Sequence, residues 1–303
     1  MVAVEKQAET EGWTLQSLLQ EVERFGDHPA LISVVGDGVS TWTFTDLADC
    51  VRRLATGLKR AGVTAGEPVF LMGEASPAWV AVRLALGALG ALAVPCDHLA
   101  SQDEAASLLR DSGCRRAFVD DDLATSLKGV GGDGLRIYSL GEDGADGSTP
   151  SWCSLPSERA EALPPGDARA PAMLIYTSGT TGVPKSFSLN SANLHANVAG
   201  LVAERLIGPG DRVLLPLPLH HVYPFVVGLL VPLASGAAVV FPEGLTGPQF
   251  AQALRQGEAS VVVGVPRLYA ALIAGLEGQL AARGRLASLL FGRLLGLSIA
   301  LRR

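Results

Sequence analysis

An α/β fold of stacked βαβ units around mainly parallel sheets is what this sequence predicts, and three observations predict it. Short apolar runs alternate with helix-periodic segments along the chain, the order expected of right-handed βαβ crossovers. The 303 residues are 48% hydrophobic and only 18% charged, which is enough apolar material for a sizeable core. Many of the 35 glycines and 18 prolines fall between those runs, where tight connections are needed.

Taken in order, Thr14 is a helix N-cap for a segment through Phe25 that sets Leu15, Leu18, Leu19 and Val22 on one face, with Gly26 ending it. Ala30 to Val35 and Ser40 to Phe44 flank the turn Gly36-Asp37-Gly38 as a hairpin. Thr45 is expected to cap the next helix, which carries Leu47, Val51, Leu54 and Leu58 inward and stops at Gly62. Pro68 to Met72 reads as a strand, Pro77 to Leu89 as a helix and Ala91 to Val94 as a strand. Ser101 caps a helix through Asp111, and Arg116 to Val119 is the next strand.

Gly129 to Asp146, around a small strand Leu135 to Leu140, and Ser157 to Arg169, with its Pro164-Pro165 pair, are the linker candidates. A first subdomain over 1–165 and a second over 166–303 follow, the second starting its own sheet. That second part reads as strand Ala172 to Tyr176, strand Ser186 to Leu189, and a helix capped by Asn190 or Ser191 reaching about Leu206. The strand Asp211 to Leu215, a buried helix from about Pro224 and the strand Ala237 to Phe241 come next. A helix from Gly247 to about Gln256 and the strand Ser260 to Val265 complete it.

Several classes are excluded. A net charge of −6 argues against nucleic-acid binding. Cys50, Cys96, Cys114 and Cys153 show no C-x-x-C spacing and no His pairing, so they are expected as reduced thiols of a cytoplasmic protein with no metal site. The acidic start lacks an apolar secretory core, so no signal peptide is expected. Val213 to Phe241 contains no Asp, Glu, Lys or Arg, but Pro216, Pro218, Pro224 and Pro232 interrupt it. Strand, helix and strand is therefore expected there rather than a membrane span.

The chemistry concentrates after the strand Ala172 to Tyr176. Thr177-Ser178-Gly179-Thr180-Thr181-Gly182-Val183-Pro184-Lys185 is a loop of hydroxyls and glycines ending in one cation. Gly179 and Gly182 allow close backbone approach, so successive N–H groups can converge on an anion while the hydroxyls add donors. It is not a P-loop, because Val183-Pro184 separates Gly182 from Lys185.

This stretch, with Tyr176 before it, resembles the phosphate-binding signature of the adenylate-forming enzymes, the family of acyl-CoA synthetases, luciferases and peptide-synthetase adenylation domains. The resemblance implies the fold of that family's large N-terminal domain. It assigns Thr177, Ser178, Gly179, Thr180, Thr181, Gly182 and Lys185 to ATP phosphates, Lys185 also being catalytic. Ser186 stands where family members usually carry Gly, and Asn190-Ser191 where they carry a hydroxyl residue followed by His.

His220-His221, inside Leu-Pro-Leu-His-His-Val-Tyr, reads from chemistry alone as either a hydrogen-bonded turn or a catalytic pair. Acyl-CoA synthetases have a similar Leu-Pro-x-x-His segment, which makes His221 the catalytic and substrate-binding candidate. Val261 to Tyr269 reads as a buried strand running into a helix. A similar Gly-Val-Pro-x-x-Tyr segment borders the acyl pocket of long-chain acyl-CoA synthetases, so Gly264, Val265 and Pro266 are candidates for substrate lining. An apolar pocket suits a fatty acid.

The resemblance implies ATP-dependent conversion of a fatty acid to acyl-AMP and then, with coenzyme A, to acyl-CoA. It covers only the first half or so of a family member. The acid that holds Mg2+, the ribose contact and the C-terminal lid with a second lysine are expected in the missing part, and little turnover is expected from this chain alone. Two other readings stay open: a fatty-acyl-AMP ligase or adenylation module loading a carrier protein, and a non-catalytic, membrane-associated half-protein. The last draws on Gln279 to Arg303, where five arginines lie among leucines with no acid. That tail is either a helix packing on more protein or a peripheral membrane contact. No residue pattern sets the oligomeric state.

Overall fold

Hydroxyl and amide caps start the helices where the sequence places them. Thr14, Ser101 and Asn190 each accept from the backbone N–H three residues on and are answered by Ser17, Glu104 and Asn193. Each such reciprocal cap is worth about 1 kcal/mol. They open α1 (Leu15–Val22), α4 (Gln102–Ser112) and α6 (Ser191–Ala203). The second helix departs from expectation: α2 (Phe44–Arg60) is capped by Thr43, not Thr45. Asp46 lies three residues after Thr43 and closes the capping box, while the Thr45 hydroxyl donates to Asp27.

The computed structural model describes residues 12–129, 134–145, 147–177 and 185–282, with backbone only at 276 and 279–282. The tail from 283 therefore lies outside the described residues. Between the capped helices come β1 (Pro29–Val35), β2 (Gly38–Thr43), β3 (Pro68–Met72), α3 (Pro77–Leu89), β4 (Leu92–Cys96) and β5 (Arg116–Val119). A helix not foreseen, α5 (Asp121–Lys128), follows β5, and β6 (Arg136–Ser139) follows it. Then come β7 (Pro171–Thr177), β8 (Lys185–Asn190) and, beyond α6, β9 (Arg212–Leu214). A π-helix (Pro224–Leu230) runs into α7 (Val231–Ser235), and β10 (Ala238–Pro242), α8 (Gly247–Gln256), β11 (Val261–Val262) and α9 (Pro266–Ala282) close the order.

Two sheets form, and they do not divide at residue 165. One has the order β11-β9-β10-β1-β2 and the other β6-β5-β3-β4-β7-β8. The hairpin β7–β8 thus completes the sheet begun by β3–β6 rather than starting its own. The N-terminal hairpin β1–β2 joins strands from the far end of the chain, Leu31 and Ile32 pairing in parallel with Val239 and Val240. Both sheets are parallel except where β2 and β8 turn back as hairpin strands. α3 lies in the largest apolar cluster with Trp79, Val80 and Leu84 buried; it packs on α1 and α2, and Trp79 meets Phe225 of the π-helix. Burying a side chain of that size contributes about 1.5–3 kcal/mol.

The apolar stretch from Val213 folds as strand, helix and strand, as expected, and among the described residues no helix is long and apolar enough to cross a membrane. β11 is shorter than the strand expected over Ser260 to Val265 and only half-buried. It is an edge strand paired with β9 alone, and Pro266, which has no N–H to donate, opens α9 directly.

Candidate functional site

β7 is positioned by its apolar face. Ala172, Met173 and Ile175 are buried, and Met173 pairs in parallel with Ala93 of β4. β8 runs back along its outer side with Lys185, Ser186, Phe187 and Ser188 exposed. Thr177 and Lys185 are the last register partners of this hairpin, and the Thr177 hydroxyl donates to the Lys185 carbonyl at 3.3 Å. Both side chains are exposed at the mouth of the loop. Ser178, Gly179, Thr180, Thr181 and Gly182 lie outside the described residues. Below the pair, the Tyr176 hydroxyl donates to Asp111 at 2.6 Å, which ties the hairpin to α4. Burial first, and then that carboxylate, push the phenol well above its usual range.

Four polar groups that the sequence reading did not single out converge at the carboxyl ends of neighbouring parallel strands. Glu74 follows β3, Asp97 and His98 follow β4, and Asp120 follows β5. The His98 ring nitrogens lie 3.7 Å from Glu74 and 3.7 Å from Asp97. The Glu74 N–H donates to Asp120 at 2.7 Å. Across the sheets, His220 Nε2 lies 3.9 Å from Asp97 Oδ2. Burial pushes the Asp120 carboxyl up to about 6, helped by Asp122 and Glu74 charges and opposed by the Glu74 N–H and His98. Burial also pulls His220 down to about 4, with His221 and His98 adding to the effect and Asp97 opposing it. His220 is therefore uncharged at neutral pH, a hydrogen-bonding group rather than a cation. The signal that could have found these residues is position, because ligands of open α/β sheets bind beyond the carboxyl ends of the strands.

His221, the residue singled out from sequence, is exposed beside His220, the ring centres 4.0 Å apart. Its N–H donates to the Pro218 carbonyl at 3.4 Å, and its own carbonyl accepts from Phe225 at 3.2 Å, where the π-helix begins. That turn aims Tyr223 at the second predicted segment: the Tyr223 hydroxyl donates to the Gly264 carbonyl at 3.2 Å. A Cβ on Gly264 would touch the ends of the Leu268 and Tyr269 side chains, so the backbone here lies close under the start of α9. Val265 and Pro266 are exposed rather than core, and they stand with Tyr223, Tyr269 and Ile273 on an open apolar surface. The structure therefore joins Thr177 to Lys185, and the His221 segment to Gly264. Among the described residues no group of three or more His, Cys, Asp or Glu is placed to hold a metal ion, and the four cysteines are free.

Residues 18–297 match the family described as AMP-binding enzyme, nearly the whole chain. The chain belongs to this family. A sulfoacetate–CoA ligase of Cupriavidus necator is 32% identical over 281 residues, which cover 88% of this chain and 52% of that protein. A feruloyl-CoA synthase of an Amycolatopsis species is 30% identical, covering 86% and 51%. The long-chain-fatty-acid–CoA ligase FadD15 of Mycobacterium tuberculosis is 32% identical, covering 77% and 40%. The chain thus spans about half the length of the curated relatives it matches.

Among solved structures, a long-chain-fatty-acid-CoA ligase of Archaeoglobus fulgidus superposes with a TM-score of 0.77 at 23% identity, covering 88% of this chain and 54% of that one. O-succinylbenzoate coenzyme A synthetase of Bacillus subtilis, in complex with AMP, gives 0.69 at 22%, covering 85% and 63%. At such identities the likeness is one of fold. It is the fold of the N-terminal part of AMP-binding enzymes, with parallel sheets and alternating βα units.

Proposed function

We propose that this chain is the N-terminal part of an AMP-forming acid–CoA ligase, and that its acid is a fatty acid. Relatives in the AMP-binding family that activate different acids support the reaction class and leave the acid open. The observation that carries the fatty-acid reading is the bond from Tyr223 to Gly264. It brings the His221 turn against Gly264, Val265 and Pro266 beside an open apolar surface, chemistry suited to an alkyl chain.

Thr177 and Lys185, exposed and opposed at the loop mouth, form a donor set suited to phosphate oxygens. In this reading Thr177 through Gly182 hold the terminal phosphates of ATP, and Lys185 neutralises their charge. Bound ATP supplies the adenylyl group: the carboxylate attacks the α-phosphorus, pyrophosphate leaves, and the thiol of coenzyme A then displaces AMP from the acyl group. His221 borders the acid and orients its carboxylate. Among the described residues no group of three or more His, Cys, Asp or Glu is placed to hold a metal ion, and no step here runs through Mg2+.

The test is product analysis with protein expressed from the native gene, given ATP, coenzyme A and equal amounts of palmitate, octanoate, ferulate and sulfoacetate. Fatty acyl-CoA is the expected product. Feruloyl- or sulfoacetyl-CoA alone would overturn the fatty-acid reading, and acyl transfer only to a phosphopantetheinyl carrier would replace coenzyme A as acceptor. No adenylate at all would overturn the ligase reading.

A further inference from the structure

At the opposite, amino ends of β5 and β6 three arginines, Arg115, Arg116 and Arg136, line one cavity of about 480 Å3 with Glu67, Gly113 and Gly134. Arg116 opens β5 and is the register partner of Arg136, which opens β6. Partners in a parallel ladder share a face, and like charges set opposite one another destabilise the pairing. Arg115 adjoins the same ladder, the Arg136 N–H donating to its backbone carbonyl at 2.9 Å, and it is a third arginine lining the cavity.

Among the described residues a single acid answers them. Glu67 pairs with Arg116, whose Nη2 also donates to the Ala61 carbonyl at 3.0 Å, while its buried Nε has no partner. Among the described residues no ion pair or side-chain hydrogen bond engages Arg115 or Arg136. Two positive charges are left uncompensated at one strand edge of a chain whose net charge is −6, so the patch does not follow from overall composition.

We infer that this cavity binds a phosphate-bearing small molecule carrying at least two negative charges. Planar guanidinium forks bind phosphate oxygens in pairs, and two free forks match the charge of a phosphoryl dianion. The volume exceeds that of one phosphate group and leaves room for a diphosphate or a phosphorylated organic molecule. The four residues of β5 set the cavity about 13 Å from the crevice at Asp120, at the opposite end of the strands. It is a second anion site, independent of the loop at Thr177 to Lys185.

The experiment is calorimetric titration of the 303-residue chain with inorganic pyrophosphate and, separately, ATP at fixed ionic strength. Native protein is compared with Arg115→Gln/Arg136→Gln and with Lys185→Ala. At least a tenfold loss of pyrophosphate affinity in the double variant, with a site retained in Lys185→Ala, is the expected result. ATP binding lost in the double variant while pyrophosphate fails to bind would assign the phosphate to a nucleotide and sustain the inference. Equal pyrophosphate and ATP affinities in native and double-variant protein would overturn it. A measurement on native protein stands beside these, in case the double variant does not fold: phenylglyoxal modification of Arg115 and Arg136, read by peptide mass. Slowing of that modification by pyrophosphate or ATP supports the site, and unchanged labelling with both overturns it.

Discussion

The guanidinium carbon of Arg83 lies 4.7 Å from the centre of the Phe225 ring, fully buried. Its Nη2 donates to the Ala172 carbonyl at 3.3 Å, while Nε and Nη1 have no hydrogen-bond partner. One side chain on α3 thereby touches both the strand that leads into the loop at Thr177 and the π-helix that follows His221.

Burial pulls Arg83 down to about 9, so it is still charged at neutral pH. A folded value below the unfolded one means that the unfolded chain holds this proton more tightly, and the charge costs stability at every pH below about 9. Replacing a buried charge by an apolar side chain of similar length is often stabilising. Arg83→Met is expected to raise the unfolding free energy by about 1 kcal/mol, whereas Arg83→Ala, which leaves a void, lowers it by about 2 kcal/mol. Urea unfolding measures both. A loss above about 1 kcal/mol in Arg83→Met would show that the Phe225 and Ala172 contacts outweigh the burial of charge.

Asp120 and His220 give opposite pH dependences in one window. The folded value of Asp120, about 6 against an ordinary 3.8, means the folded chain binds its proton first. That contribution grows as pH falls through 6 and is complete below 3.8. His220 at about 4 against 6.5 means the unfolded chain binds its proton first, so stability is lost as pH falls from 6.5 to 4. Asp120→Asn is expected to be more stable than native protein at pH 7.5 and to lose more stability on acidification. His220→Gln should lose less. Urea midpoints at pH 7.5, 5.5 and 4.5 decide, and parallel shifts at all three would refute both assignments.

Gly57 and Gly200 separate two uses of glycine in helices. A Cβ on Gly57 of α2 would overlap the Leu155 carbonyl, a backbone atom that cannot step aside, whereas one on Gly200 of α6 meets nothing within 4 Å. Gly57→Ala should cost about 3 kcal/mol or more through overpacking. Gly200→Ala should add about 0.5 kcal/mol through helix propensity. Thermal unfolding of the two variants, read against native protein, is enough.

Tyr223→Phe tests the link between the His221 turn and Gly264. Tyr223 is 46% exposed, so stability should change little. One hydrogen bond is worth about 1 kcal/mol, and in the ligase proposed above its loss appears as a several-fold rise in KM for the fatty acid with kcat nearly unchanged. An equal effect on all acids offered would place the bond outside the acyl pocket.

Much of the local structure was legible because its causes are local. The caps at Thr14 and Ser101, a third cap narrowed to Asn190 or Ser191, the strands Pro68–Met72 and Arg116–Val119 and the helix Gly247–Gln256 follow from residues within one turn of where they act. Thr45 was chosen over Thr43 because both carry the right hydroxyl, and only the Asp46 bond separates them. α5 went unread because its eight residues make barely two turns and bury only Ala124 and Leu127, too short a stretch to stand out between two strands.

By itself the sequence determined the α/β class, most of the order of elements and the family to which the chain belongs, since each is written in neighbouring residues. Only the tertiary structure decided which strands pair. It carried β1–β2 to β10, returned β7–β8 to β4, and gathered Glu74, Asp97, Asp120 and His220 at one edge. Apolar parallel strands such as Leu31–Ile32 and Val239–Val240 fit many partners equally well by pattern, and burial on both faces removes the alternation that would mark a side. Partner choice is settled by packing of the whole core, which no window of sequence contains.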